Sequence, residues 1–153
     1  MRVLGVDPGA TGALALYDAD IRAAAIYDMP FQTIAKRKQV SEALLASILH
    51  DFAPDCAYIE RVHAMPKQGV TSSFSFGLAY GLVRGVLACM EVPVHLITPQ
   101  EWKRHFRLSS DKNEARAIAA RLLPINAPAF ARVKDDGRAE AALLALFGAQ
   151  HPV

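Results

Sequence analysis

Val3-Leu4-Gly5-Val6-Asp7-Pro8-Gly9 is the stretch on which the fold turns. Four uncharged residues in a row read as a strand apolar on both faces, the kind that lies inside a sheet. Asp7 ends that strand, and Pro8-Gly9 with Gly12 makes a tight turn. Ala13 to Tyr17 reads as the strand returning antiparallel, which leaves the Asp7 carboxylate at the end of the sheet. An ionised group at such a place is costly unless it is paired or metal-bound. Glu60 repeats the pattern by closing the apolar run Ala57-Tyr58-Ile59. A third set, Asp135, Asp136 and Glu140, opens an Ala/Leu-rich helix.

Outward from these acids the chain alternates between strand and helix patterns. Ile21 to Tyr27 is a third strand, and Lys36-Arg37-Lys38 a polar loop. Ser41 caps a helix that runs to Phe52, with Leu44, Leu45, Ile48 and Leu49 on one face. Ala57 to Ile59 is a strand parallel to the first, because a helix precedes it. Residues 61 to 69 form a loop, and a long helix runs from about Val70 to Met90. Val94 to Ile97 is the fifth strand. Thr98-Pro99-Gln100-Glu101 then has the form of a capping box with Pro at the first helical position. Another helix starts at Ser110-Asp111 and ends before Pro124. Residues 124 to 134 read as a Pro/Ala loop, and the last helix runs from Asp135 or Asp136 to about Gly148. The expected architecture is α/β, a mixed five-stranded sheet flanked by helices.

A chain of 153 residues is expected to form one domain, 1–153, with a proper core. The apolar stretch Gly77 to Met90 is too short, and too broken by Gly and Arg84, for a membrane span. Asp7 interrupts the first apolar run, so no signal-peptide layout is present. Cys56 and Cys89 have no metal spacing and read as free, buried thiols of a cytoplasmic protein. A net charge of +2 argues only weakly for nucleic acid, and its distribution argues more. Basic residues gather at Lys36-Arg37-Lys38, at Arg61 and Lys67, at Lys103-Arg104 with Arg107 and Lys112, and at Arg132, Lys134 and Arg138. Several of these flank the acids, as a polyanion passing an acidic metal site requires.

Taken together the acids have the layout of a phosphoryl-transfer site. Such sites hold two hard cations about 4 Å apart between carboxylates. Asp7 and Glu60 would lie side by side at neighbouring strand ends. Asp136 and Glu140, four apart, share one helix face, a like-charge pair that calls for a cation. Asp135 is the alternative to Asp136, and either acid would also complement the helix dipole. In the long helix, Gly77, Gly81 and Gly85 recur every fourth residue and form a smooth ridge. That ridge fits either packing on the protein's own sheet or contact with a second copy, with Phe74, Phe76, Leu78 and Tyr80 around it.

Gly5-Val6-Asp7-Pro8-Gly9, Ile59-Glu60 with its loop and Gly-bearing helix, Thr98-Pro99 and the acid-bearing last helix together resemble the RuvC-like Holliday junction resolvases of the RNase H-like superfamily. The resemblance covers nearly the whole chain. It implies an RNase H-like fold, a homodimer, Mg2+ with Mn2+ as a substitute, and paired nicks in four-way DNA junctions. Asp7 matches the family's first-strand aspartate and Glu60 its middle-strand glutamate, and Glu140 matches the last acid. The family's further ligand, three residues before that acid, falls on Gly137, so Asp136 is the substitute. His63 stands where the family carries an aromatic that stacks on a base. Arg61, Lys67, Lys103, Arg104, Lys112 and Arg138 are the expected DNA contacts, and Phe74, Gly77, Tyr80 and Gly81 the expected dimer interface. A nuclease acting on branched DNA broadly or on RNA–DNA hybrids, and a junction-binding protein that no longer cleaves, are the rival readings. A sugar-kinase-like domain is disfavoured by the lack of a second phosphate loop.

Overall fold

The computed structural model describes residues 1–63 and 69–152. β1 (Arg2–Asp7), β2 (Ala13–Asp18) and β3 (Ala23–Asp28) form an antiparallel meander. A separate hairpin follows, β4 (Phe31–Ile34) and β5 (Arg37–Val40). Then come α1 (Glu42–Phe52), β6 (Cys56–Glu60), α2 (Val70–Cys89), β7 (Val94–Ile97), α3 (Pro99–His105) and α4 (Lys112–Leu122). Two 3-10 segments, Pro124–Phe130 and Val133–Asp135, lead into α5 (Asp136–Gln150). The main sheet has the order β3-β2-β1-β6-β7, with β6 parallel to β1 and β7 parallel to β6.

Burial on both faces explains why the interior of β1, Val3 to Val6, has no polar residue. Leu4 and Val6 face the side covered by α1 and α2, where they join Leu45, Leu49, Val83 and Leu87. Val3 belongs to the opposite core, with Tyr58, Trp102 and the Ala/Leu residues of α5. Helix α5 is buried almost all round, and its small residues let it lie very close to the sheet. Gly5 is the point of nearest approach. A Cβ there would overlap the Ala141 carbonyl oxygen and stand 2.5 Å from the Ala145 amide nitrogen.

The structure departs from expectation at several places. Residues 31–40 are a hairpin and not a polar loop. Its two-residue turn, Ala35-Lys36, has left-handed φ values of 48° and 62° without the Gly or Asn that normally marks such a turn. The Pro/Ala stretch before α5 is largely 3-10 helix, and α5 continues past Gly148 to Gln150. Cys56 and Cys89 are free, but neither is buried, Cys56 being half-buried and Cys89 exposed. The long helix from Val70 is present as expected, but its whole length bears on the membrane reading. α2 has 20 residues and is, by length and composition alone, apolar enough to cross a membrane. Its inner face, Ala79, Val83 and Leu87, packs in the sheet core, while Val70 and Phe74 are exposed. The glycine ridge does not rest on the protein's own sheet, since among the described residues nothing beyond its own helix lies within 4 Å of a Cβ built on Gly77, Gly81 or Gly85.

Gly5→Ala should therefore cost about 3 kcal/mol, because the added methyl meets helix backbone that cannot swing away. Thermal melting followed by circular dichroism checks this; an unchanged midpoint would mean that α5 sits further from β1.

Candidate active site

Asp7 ends β1 on the face that α5 covers. The parallel register pairs Val6 with Ile59, so the next residues along, Asp7 and Glu60, end neighbouring strands together. Gly137, in the first turn of α5, lies over Asp7. A Cβ there would stand 2.6 Å from Asp7 Oδ2 and 3.7 Å from Gly12 Cα. The position that looked like a missing ligand is thus the seat of the Asp7 carboxylate. Gly137, Ala141 and Ala145 form a column of small residues along β1, and Asp136 and Glu140 flank its start.

The electrostatics record how close the acids are. Burial, then the nearby Glu140, Glu60 and Asp136 carboxylates, pushes the Asp7 carboxyl well above the usual carboxylate range. Burial, then Glu60, raises Glu140, against the pull of Lys103 and Lys112. Asp136 is lowered instead, because Lys112 Nζ donates to its Oδ2 at 2.6 Å. Glu60 accepts from the Trp102 indole Nε1–H at 2.9 Å. Trp102 is fully buried, and an indole N–H in that setting needs an acceptor. It fixes one Glu60 oxygen at the edge of the site. No reading of the sequence singled out Trp102, and its only signal was a lone Trp just inside the capping box that follows β7.

Other expected residues fall into three groups. Arg61 and His63 are exposed just past Glu60, where the Arg61 amide donates to the Ile97 carbonyl at 2.7 Å. Lys103 lies 5.2 Å from the Trp102 ring centroid, and Arg104 is exposed in the last turn of α3. Lys67 lies outside the described residues. Asp135 and Arg138 take other roles. Asp135 is only 2 % exposed and its two oxygens accept from the Arg132 amide and guanidinium at 2.8–3.1 Å, which holds its carboxyl low. Arg138, expected to face DNA, donates through Nε and Nη2 to Asp28 at 2.7 and 2.8 Å and ties α5 to β3. Both are anchors of the helix start.

An all-carboxylate donor set suits a hard divalent cation. Burial and the neighbouring carboxylates raise Asp7 and Glu140, and a cation there would offset both. As the side chains stand, no three acid, His or Cys groups among the described residues are gathered around one cation position. Lys112 and Trp102 each draw one carboxylate aside.

No family model matches the chain. A curated relative does, the crossover junction endodeoxyribonuclease RuvC of Thermobifida fusca, 29% identical over 138 residues that span 84% of this chain and 75% of the relative. The chain resembles the RuvC-like resolvases. Solved structures agree on the fold. RuvC of Thermus thermophilus in complex with a Holliday junction superposes with a TM-score of 0.70 at 21% identity, covering 97% of this chain and 92% of that one. The fowlpox virus Holliday junction resolvase gives 0.54 at 21% identity over 98% and 99%. The fold is RNase H-like, as in RuvC.

The raised carboxyls set a pH dependence. A group that binds its proton more tightly folded than unfolded makes stability fall as pH rises between its two pKa values. In EDTA, wild-type stability should carry such a fall from the ordinary carboxylate range up through the raised Asp7 value. Asp28, Asp135 and Asp136 are lowered and act oppositely, losing stability as pH falls. The comparison with Asp7→Asn isolates the first effect. The variant should melt higher at neutral pH, with about 2–4 °C for each kcal/mol relieved. Parallel melting curves of the two proteins across pH would contradict the burial and charge crowding that raise Asp7.

Proposed function

We propose that this chain is a metal-dependent endodeoxyribonuclease that resolves four-way DNA junctions by paired symmetric nicks. It would act in a cytoplasmic setting, as a homodimer of one nuclease domain spanning residues 1–153. The observation that carries the reading is the convergence of Asp7, Glu60, Asp136 and Glu140, from two strands and one helix, in an RNase H-like fold. Asp7, Glu60, Glu140 and Asp136 are the residues that would hold Mg2+ or Mn2+. When bound, a divalent cation there neutralises phosphate charge and makes water a stronger nucleophile.

The chain's own groups supply the rest. Trp102 holds Glu60 in one orientation. Lys112 keeps Asp136 ionised and lies next to Asp7 and Glu140, where it also offers a cation to a phosphate. Arg61, Lys103 and Arg104 supply backbone contacts around the acids, so shape outweighs sequence in recognition. His63 is exposed and free to stack on a base. A relative named for crossover junctions, at 29% identity over most of the chain, supports the same substrate class.

Cutting opposed strands of a symmetric junction requires two sites related by a two-fold axis. The exposed ridge of α2 supports a dimer. Gly77, Leu78, Gly81, Leu82 and Gly85 line an apolar hollow of about 530 Å³, with Phe74 71 % exposed beside it and Tyr80 under Arg84.

Asp7→Asn and Glu60→Gln should each lower cleavage of a labelled mobile junction by roughly 100-fold or more while junction binding persists. Product should form in Mg2+ or Mn2+ and vanish in EDTA. Wild-type cutting by either variant would remove these acids from the chemistry. Tight binding without nicks would leave a junction-binding protein, and cutting of hybrids alone a different nuclease. Gly81→Leu adds a side chain into open space, so the fold should persist while sedimentation shifts from dimer to monomer; an unshifted dimer would place the interface elsewhere.

A further inference from the structure

We propose a second binding site, for the phosphodiester backbone of a DNA strand, in the basic hollow between the β4–β5 hairpin and the turn that precedes α5. Lys38 and Lys134 are its phosphate contacts. The proposal rests on the nuclease reading above and adds where the strand runs after it leaves the acids.

The hollow, about 420 Å³, is lined by Thr11, Gly12, Phe31, Lys38, Arg132 and Lys134, with the Arg138–Asp28 pair at its side. Four cations and two carboxylates border it, a net charge of +2. Both carboxylates are already committed, Asp28 to Arg138 and Asp135 to Arg132. Among the described residues neither Lys38 nor Lys134 has a carboxylate partner. Lys38 Nζ instead stands 3.9 Å over the ring of Phe31, which is itself 48 % exposed. An exposed aromatic beside unpaired lysines is the pairing that takes a sugar–phosphate chain, with charge for the phosphate and a flat face for the base or sugar.

Position favours DNA over any other polyanion. Asp7 pairs with Ala13, and Ala13 with Asp28, in one line across β1, β2 and β3. Two strand spacings put the rim of the hollow about 10 Å from Asp7. Gly12 forms part of the wall and packs under Gly137, which seats Asp7. Lys103 follows β7, at the other edge of the sheet. A strand whose phosphate faces Asp7 therefore meets Lys103 on one side and Lys38 with Lys134 on the other. The hairpin belongs to a separate two-stranded sheet and carries Lys36 and Arg37, both exposed, at its tip. That extends the positive track outward.

The test is equilibrium binding of the full chain to a labelled four-way junction and to linear duplex, in EDTA, across a salt series. The K38Q/K134Q double variant should bind roughly tenfold more weakly at about 150 mM salt, with the slope of log affinity against log salt reduced by about two. Its melting temperature should match wild type, and K38R/K134R should restore both affinity and slope. Wild-type affinity and slope in K38Q/K134Q would overturn the site. If the wild type binds duplex but shows no preference for the junction, junction selectivity fails while the slope still decides the hollow. If it binds neither DNA, both readings fail.

Discussion

The near-contact of α5 with β1 at Gly5 is the constraint on which the molecule depends. Here a residue without a Cβ meets the backbone of an alanine-rich helix. The approach fixes where α5 begins as well as where it lies. Because the small residues recur every fourth position, Gly137 is carried to the strand end, over Asp7. Asp136 and Glu140 arrive beside it as a consequence of backbone packing. The acid-bearing end of the protein is thus set by its core.

Bringing four carboxylates together has a cost, and the structure shows how it is offset. Asp7 is pushed towards protonation by burial and then by Glu140, Glu60 and Asp136, and Glu140 by burial and then by Glu60. Lys112 supplies the nearest positive charge and Trp102 a neutral hydrogen bond. Asp135 and Arg138, one on either side of the Asp136–Gly137 pair, face away from the acids and lock the helix start through Arg132 and Asp28. Two acids adjacent in sequence thereby serve opposite ends, one holding the scaffold and one facing the site.

Much of this was legible from residues. The apolar run ending in Asp7, the Ile59-Glu60 strand end and the Thr98 capping box each carry a local signal, and the parallel placement of β6 follows from the intervening helix. The chain is less readable where tertiary context decides. Ala35-Lys36 gives no turn signature, since neither residue favours the left-handed region it occupies. The choice between Asp135 and Asp136 depended on Arg132, three residues upstream, which no periodicity reveals. Gly137 looked like a lost ligand because spacing alone cannot show that the space is already taken by Asp7. The α2 ridge was ambiguous for the same reason, as glycine spacing marks a close approach without naming what approaches.

The β4–β5 hairpin is bracketed by backbone. The Met29 amide donates to the Gly12 carbonyl at 2.9 Å, and the Ser41 amide to the Pro30 carbonyl at 2.9 Å, so the chain enters and leaves the hairpin at one closed neck. Met29 and Val40 are buried on either side of that neck. Beyond the neck the hairpin is held by the Gln32 side-chain amide, which donates to the Glu42 carboxylate at 3.0 Å, and by β5 against α2. Only the exposed tip, Lys36 and Arg37, stands clear of these ties, so a change of length there is the one that least disturbs the main-sheet ladder.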